Sequence, residues 1–186
     1  MFSDSRLVSS DMDHVPYIRD FPEAAQAIGF LTIGIANLEA RLYAPLATIL
    51  GSVEAASAVL QNIDSISAKV AVTCDLAKLV PANAAAAALL KHAGAIRAAI
   101  AERNRLCHGL YGIDEDTHDL LLMSGYITNR RGAHKSSVLD VAAVMAHVEA
   151  INLADMEIQN AVGDMHLTKA HGHIRTLQPV VGGNGA

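Results

Sequence analysis

Three features of this sequence predict an all-α fold, an up-and-down helical bundle with a small β-hairpin between its last two long helices. The chain has 186 residues, 52% of them hydrophobic and only 18% charged, so one domain can bury a real core. Aromatic residues make up 4% and tryptophan is absent, which leaves alanine and aliphatic side chains to fill that core and favours helices packed at close range. Apolar residues recur at helical spacing over long stretches, punctuated by glycine, proline and N-capping residues. The net charge of -5 argues against a broad cationic surface that would hold nucleic acid or membrane nonspecifically, so a polyanion would have to meet a local patch. Cys74 and Cys107 make no disulfide framework, and the opening stretch MFSDSRLVSSDMDHVPYIRD lacks the basic and apolar regions of a signal peptide. The most apolar windows, such as FLTIGIA, are interrupted before the roughly 20 residues that a bilayer requires. No membrane span is expected, and a cytosolic setting is.

Residues 1–19 read as a flexible polar arm, 20–167 as the helical domain and 168–186 as a mobile tail. A long first helix opens at Asp20, where Asp20 and Glu23 have capping-box spacing and Pro22 falls in the first turn, and it stops at Gly51. Pro45 lies inside that pattern and predicts a kink or break, because proline removes one helical hydrogen bond and clashes with the carbonyl four residues back. Ser52 caps a short helix, and a further one runs from about Ser65 to Val80, with Ile66, Val70, Leu76 and Leu79 as buried candidates and Pro81 as its stop. Asn83 caps the alanine-rich helix AAAAALLKHAGAIRAAIAERNRLCHGL, whose alanines permit close helix contacts. Two short β-leaning runs around NRRG suggest the hairpin. From Asp140, the spacing of Val141, Val144, Val148, Ile151, Ile158 and Val162 marks a final long helix.

The alanine-rich helix carries an anomaly near its end. Leu89, Ala93, Ile96, Ile100, Arg103, Cys107 and Leu110 recur at alternating steps of four and three, one face of a helix, and Arg103 interrupts an otherwise apolar stripe. An unpaired buried charge is costly, so a guanidinium there either finds partners or faces a cleft. Arg97, Ala101, Asn104, His108 and Tyr111 form the neighbouring stripe, which puts Asn104 and His108 on one face, one turn apart. Gly109 and Gly112 are expected to end the helix and leave open space beside His108.

The stretch ERNRLCHG, residues 102–109, resembles the signature of the HEPN superfamily: an arginine, commonly a polar residue after it, and a histidine four to six residues beyond the arginine. Arg103, Asn104 and His108 match that pattern, and the long helix that carries it, preceded and followed by other helices, also resembles the family over roughly residues 20–167. The resemblance implies metal-independent RNA cleavage at a homodimer interface, in a toxin or phage-defence setting with an antitoxin protein as a further partner, and no cofactor. It assigns proton handling to His108, a phosphate clamp to Arg103 and an orienting role to Asn104. Some related toxins carry a tyrosine two residues after the histidine; here that position is Leu110, and Tyr111 follows one residue later. Tyr111 and Arg97 are candidates to line the cleft, and Arg130, Arg131 and Lys135, with His134, to guide RNA phosphates.

Plainer readings stand beside these. Arg103 can pair with Glu102 or Glu39, and His108 can simply favour the dipole at a helix C-terminus. Cys107 invites a nucleophile reading, but its place on the apolar stripe predicts a core cysteine. His166, His171 and His173 have no standard metal-ligand spacing, and no metal site is expected. The acidic run 114–119 lacks calcium-loop spacing and reads as an exposed connection. The leading reading is a homodimeric endoribonuclease; the alternative is a catalytically silent HEPN-like module that binds a nucleotide, RNA or a protein partner.

Overall fold

A computed structural model, which describes residues 18–124 and 135–175, has six helices and three strands among those residues. Helix α1 spans Pro22–Arg41. Its N-cap is Phe21 and no side chain caps it, so the expected box of Asp20 and Glu23 does not form: Asp20 lies in a preceding turn, one residue too early. Pro22 occupies the first turn as predicted. The helix breaks at Leu42, and α2 (Tyr43–Leu50) begins with Pro45 in its first turn, where the N–H that proline lacks has no intrahelical partner. Gly51 closes α2 in the left-handed conformation at φ 68°, which glycine adopts without steric penalty.

The predicted caps Ser52 and Asn83 hold, and Ser65 caps the helix predicted to start there. Ser52, Ser65 and Asn83 open α3 (Val53–Gln61), α4 (Ile66–Lys78) and α5 (Ala84–His108), each side-chain oxygen accepting the backbone N–H three residues on, at 3.1, 3.2 and 3.0 Å. Ile66 and Val70 are buried as predicted and Leu76 is half-buried, but Leu79 is 75% exposed, because the helix ends at Lys78 and Leu79 falls beyond its packed face. The two β-leaning runs are β2 (Leu120–Ser124) and β3 (Lys135–Val138), paired antiparallel with Leu121 opposite Val138. A strand not anticipated from sequence, β1 (Leu110–Ile113), adds to the other edge of β2 and makes a three-stranded meander. Its four residues are too few, and include Gly112, to show a strand pattern of their own.

Asp140 caps α6 (Val141–Arg175) through the N–H of Ala143 at 3.0 Å. Val144, Val148, Ile151, Ile158 and Val162 are buried on the predicted face, and the helix runs past Leu167 to Arg175, into the segment expected as tail. Lys91 and His92 meet Glu157, and Glu102 lies near His147, so α5 and α6 are antiparallel. Gly34 lies against Ile151 and Arg41 pairs with Asp155, so α1 runs alongside α6 in the same direction. The N-termini of α1 and α6, the C-terminus of α5 and the sheet therefore share one end of the bundle. A cavity of about 350 Å³ there is lined by Asp20–Ala24, Asp119, Leu120 and Val138.

The core is aliphatic and continuous, with Leu31, Ile35 and Leu38 of α1, Val70 and Cys74 of α4, Leu89 and Ile96 of α5, and Ile151 and Ile158 of α6. Helix α5 is long and apolar enough to cross a membrane, with a mean hydropathy of 1.3 in its best window, a segment that the expectation from interrupted windows passes over. In the bundle its apolar residues have another use: Leu89, Ile96, Ala99 and Ile100 pack into the core.

Candidate functional site at the C-terminal end of α5

The stripe that carries Arg103 starts deep and ends in solvent. Leu89, Ala93, Ile96 and Ile100 are buried, Arg103 is half-buried, and Cys107 and Leu110 are exposed. This overturns the expectation of a core cysteine at position 107. In the last turn of α5 the inward position belongs to Leu106, 1% exposed, while the side bearing Cys107 is left uncovered.

The two carboxylates expected as plain partners for Arg103 are engaged elsewhere. Glu102 accepts two hydrogen bonds from Arg105, from Nε at 2.8 Å and from Nη2 at 2.5 Å. Glu39 accepts one from Lys69 Nζ at 2.7 Å. The Nε of Arg103 is buried and has no hydrogen-bond partner among the described residues. A buried donor left unmet costs about 1–3 kcal/mol. The bonds from Arg105 hold the Glu102 carboxyl below its ordinary range, and the Arg105 guanidinium is pushed up in turn by the same contact.

Asn104 is half-buried and His108 exposed, on adjoining turns of one face as predicted. Tyr111 is half-buried and its hydroxyl donates to the Leu106 carbonyl at 2.8 Å, satisfying one of the last-turn carbonyls that the helix cannot pair itself. Burial pushes its phenol up to about 12, so it remains a neutral donor. The space beside His108 is not opened by Gly109 as expected. Gly109 caps α5, and a Cβ there would stand 2.3 Å from Leu122 Cδ1 and 2.9 Å from the Arg105 carbonyl oxygen, so glycine serves to let β2 close on the helix end.

The remaining candidates scatter. Arg97 is exposed but lies about 16 Å along the axis from His108, and its charge faces Cys74 of α4 rather than the motif. Lys135 opens β3, paired with Ser124, whereas Arg130, Arg131 and His134 lie outside the described residues. The side chains of His166, His171 and His173 lie outside them as well. The acidic run forms the β1–β2 connection, in which the Asp114 carboxylate accepts the N–H groups of Asp116 and Thr117 at 3.0 Å. Arg105 was not among the sequence candidates, although its spacing to both Glu102 and His108 is legible; it lies on the opposite side of the helix from Arg103.

Two chemical consequences are measurable. Burial pushes the Cys74 thiol up, while Cys107 is exposed, so a thiol-alkylating reagent at neutral pH is expected to modify Cys107 and spare Cys74 in the native protein. Peptide mapping by mass spectrometry checks this, and equal labelling would contradict the burial of Cys74. Glu102 and Glu157 both have lowered carboxyl pKa values, through hydrogen bonds from Arg105 and from Lys91, respectively. Their contribution to stability is complete above the ordinary glutamate range and is lost as pH falls through the lowered values. The melting temperature should therefore hold steady above about pH 5 and decline below about pH 4. In Glu102→Gln that decline should be shallower; an identical acid profile would show that the Glu102–Arg105 pair adds nothing to it.

No protein-family model, no curated protein and no solved structure matches the chain. The class that fold and site define is a helical bundle, capped at one end by a three-stranded sheet, with a polar cluster on the last turn of its central helix.

Proposed function

We propose that the protein is a metal-independent endoribonuclease whose site is completed across a homodimer, in keeping with the HEPN-like motif of Arg103, Asn104 and His108. The observation that carries this reading is the state of Arg103: a half-buried arginine on an apolar stripe whose buried Nε has no hydrogen-bond partner among the described residues.

In the reaction the ribose 2′-oxygen attacks the adjacent phosphorus and loses its proton to a base. The 5′-oxygen leaves and takes a proton from an acid, giving a 2′,3′-cyclic phosphate and a 5′-hydroxyl. His108 supplies the imidazole, exposed at the helix end. Arg103 stabilises charge on the phosphorane oxygens, and Asn104 orients the phosphate or the sugar. One imidazole cannot be optimally protonated as both acid and base in the same step, which is why a second copy of the site across a two-fold axis belongs to the proposal. The setting that fits is intracellular RNA degradation of the toxin or phage-defence type, held in check by a partner protein.

Mass spectrometry of cleaved RNA tests the chemistry. Cleavage is expected to continue in EDTA, to leave a 2′,3′-cyclic phosphate and to stop when the 2′-hydroxyl at the cut is removed. Products bearing a 5′-phosphate, or activity that needs a divalent ion, would point to metal-assisted hydrolysis instead. Light scattering over a concentration series tests the shared site, and a strict monomer at high micromolar concentration would remove it.

A further inference from the structure

The outer face of α5 carries a second guanidinium for which the motif has no role. Arg105 precedes His108 by three residues, which sets the two about 60° apart around the axis with Cβ atoms about 5–6 Å apart. Arg103, five residues before His108, is about 140° away on the inward side. Arg105 is therefore the better placed of the two arginines to share a ligand with His108 on the solvent side. Ala98 and Ala101, both exposed, precede the pair on this face and raise no bulky side chain over the helix.

Arg105 is also held in a defined orientation. Glu102, whose side chain is only 16% exposed against 36% for Arg105, grips the guanidinium by its Nε and one Nη2 hydrogen. A guanidinium has five N–H donors in a planar fork. The carboxylate uses two of them, and of the remaining three, one on Nη1 and one on Nη2 point out of the terminal edge, the geometry that receives a phosphate through two parallel hydrogen bonds. Asn104 lies between the directions of Arg103 and Arg105, about 100° from each.

We propose that Arg105, oriented by Glu102, grips a phosphate of single-stranded RNA on the face that carries His108, with Arg105 touching the substrate and Glu102 acting as its positioning residue. The identity of the ligand rests on the nuclease reading; the anion grip itself rests on the Glu102–Arg105 geometry.

Binding of a fluorescent 2′-O-methyl RNA, which lacks the nucleophile and cannot be cleaved, is measured over a salt series beside cleavage of unmodified RNA, with the full chain throughout. Arg105→Ala should reduce the slope of log affinity against log salt by about 0.7, the value for one phosphate contact on a single strand. Its kcat/KM should fall by about a hundredfold. Arg105→Lys keeps the charge without the fork, so it should retain the salt slope and lose the cleavage rate; it also serves if the alanine variant fails to fold. Glu102→Gln should show a smaller fall in rate, and His108→Ala should lose cleavage while keeping the wild-type slope. An unchanged slope and rate in Arg105→Ala would overturn the proposal while the nuclease reading stands. Wild type that binds the probe without cleaving RNA would remove the nuclease reading, and the slope of Arg105→Ala would still decide the grip. Wild type that does not bind the probe would overturn both.

Discussion

Arg103→Ala and His108→Ala are each expected to lower RNA cleavage by about a hundredfold or more, the usual scale for losing electrostatic or acid–base assistance, while the protein stays folded. Activity and stability separate here for a physical reason. Truncating Arg103 removes a guanidinium whose Nε is buried without a partner among the described residues, and alanine is compatible with the apolar stripe of Leu89, Ala93, Ile96 and Ile100. The loss of its aliphatic stem is opposed by relief of that unmet donor, so the change in stability should be within about 1 kcal/mol in either direction. His108 is exposed, so truncating it removes little packing. Cleavage rate, melting temperature and light scattering on the same preparations make the comparison. Unfolding or dissociation of Arg103→Ala, together with no measurable cleavage by wild type, would make Arg103 a structural residue and end the nuclease reading.

Gly109→Ala should destabilise the protein by about 1–3 kcal/mol and impair cleavage at the same time, although no functional side chain is altered. The backbone conformation of Gly109, φ -80° and ψ 156°, is one that alanine adopts freely. On that count alone the substitution would stabilise by about 0.4–1 kcal/mol, through lower entropy of the unfolded chain. The new methyl, however, would stand 2.3 Å from Leu122 Cδ1 and 2.9 Å from the Arg105 carbonyl oxygen. Leu122 is fully buried with little room to move, and the carbonyl belongs to the helix, so relief requires both β2 to move away from the end of α5 and the last turn to shift. That movement displaces the turn that holds His108 and the Tyr111 hydroxyl on Leu106. Denaturant unfolding measures the first effect; a stability equal to or above wild type would show that the sheet does not close on Gly109 as described.

Much of the helical architecture was legible because its signals are local. Ser52, Ser65 and Asn83 precede helical segments and cap them with their own side chains, and Gly51 supplies the one positive φ that ends α2. The periodic valines and isoleucines of α6 face inward as their spacing requires, since a helix with one apolar stripe has one way to hide it. The motif residues were legible in the same way, Asn104 and His108 being one turn apart on a helix that was itself predictable.

What the sequence determined alone is thus the helices, most of their caps and the proximity of residues within a turn. The tertiary structure decided which pairings and exposures those helices acquire. Cys107 lies on the apolar stripe yet is exposed, because exposure in a last turn depends on which neighbours extend that far. β1 exists because β2 offers it an edge, not because LYGI has a strand pattern. Glu102 binds Arg105 and Glu39 binds Lys69, and the Nε of Arg103 has no partner among the described residues. An ion pair is a competition among every charge within reach, and reach is set by packing between segments far apart in the chain, which periodicity within one helix does not encode.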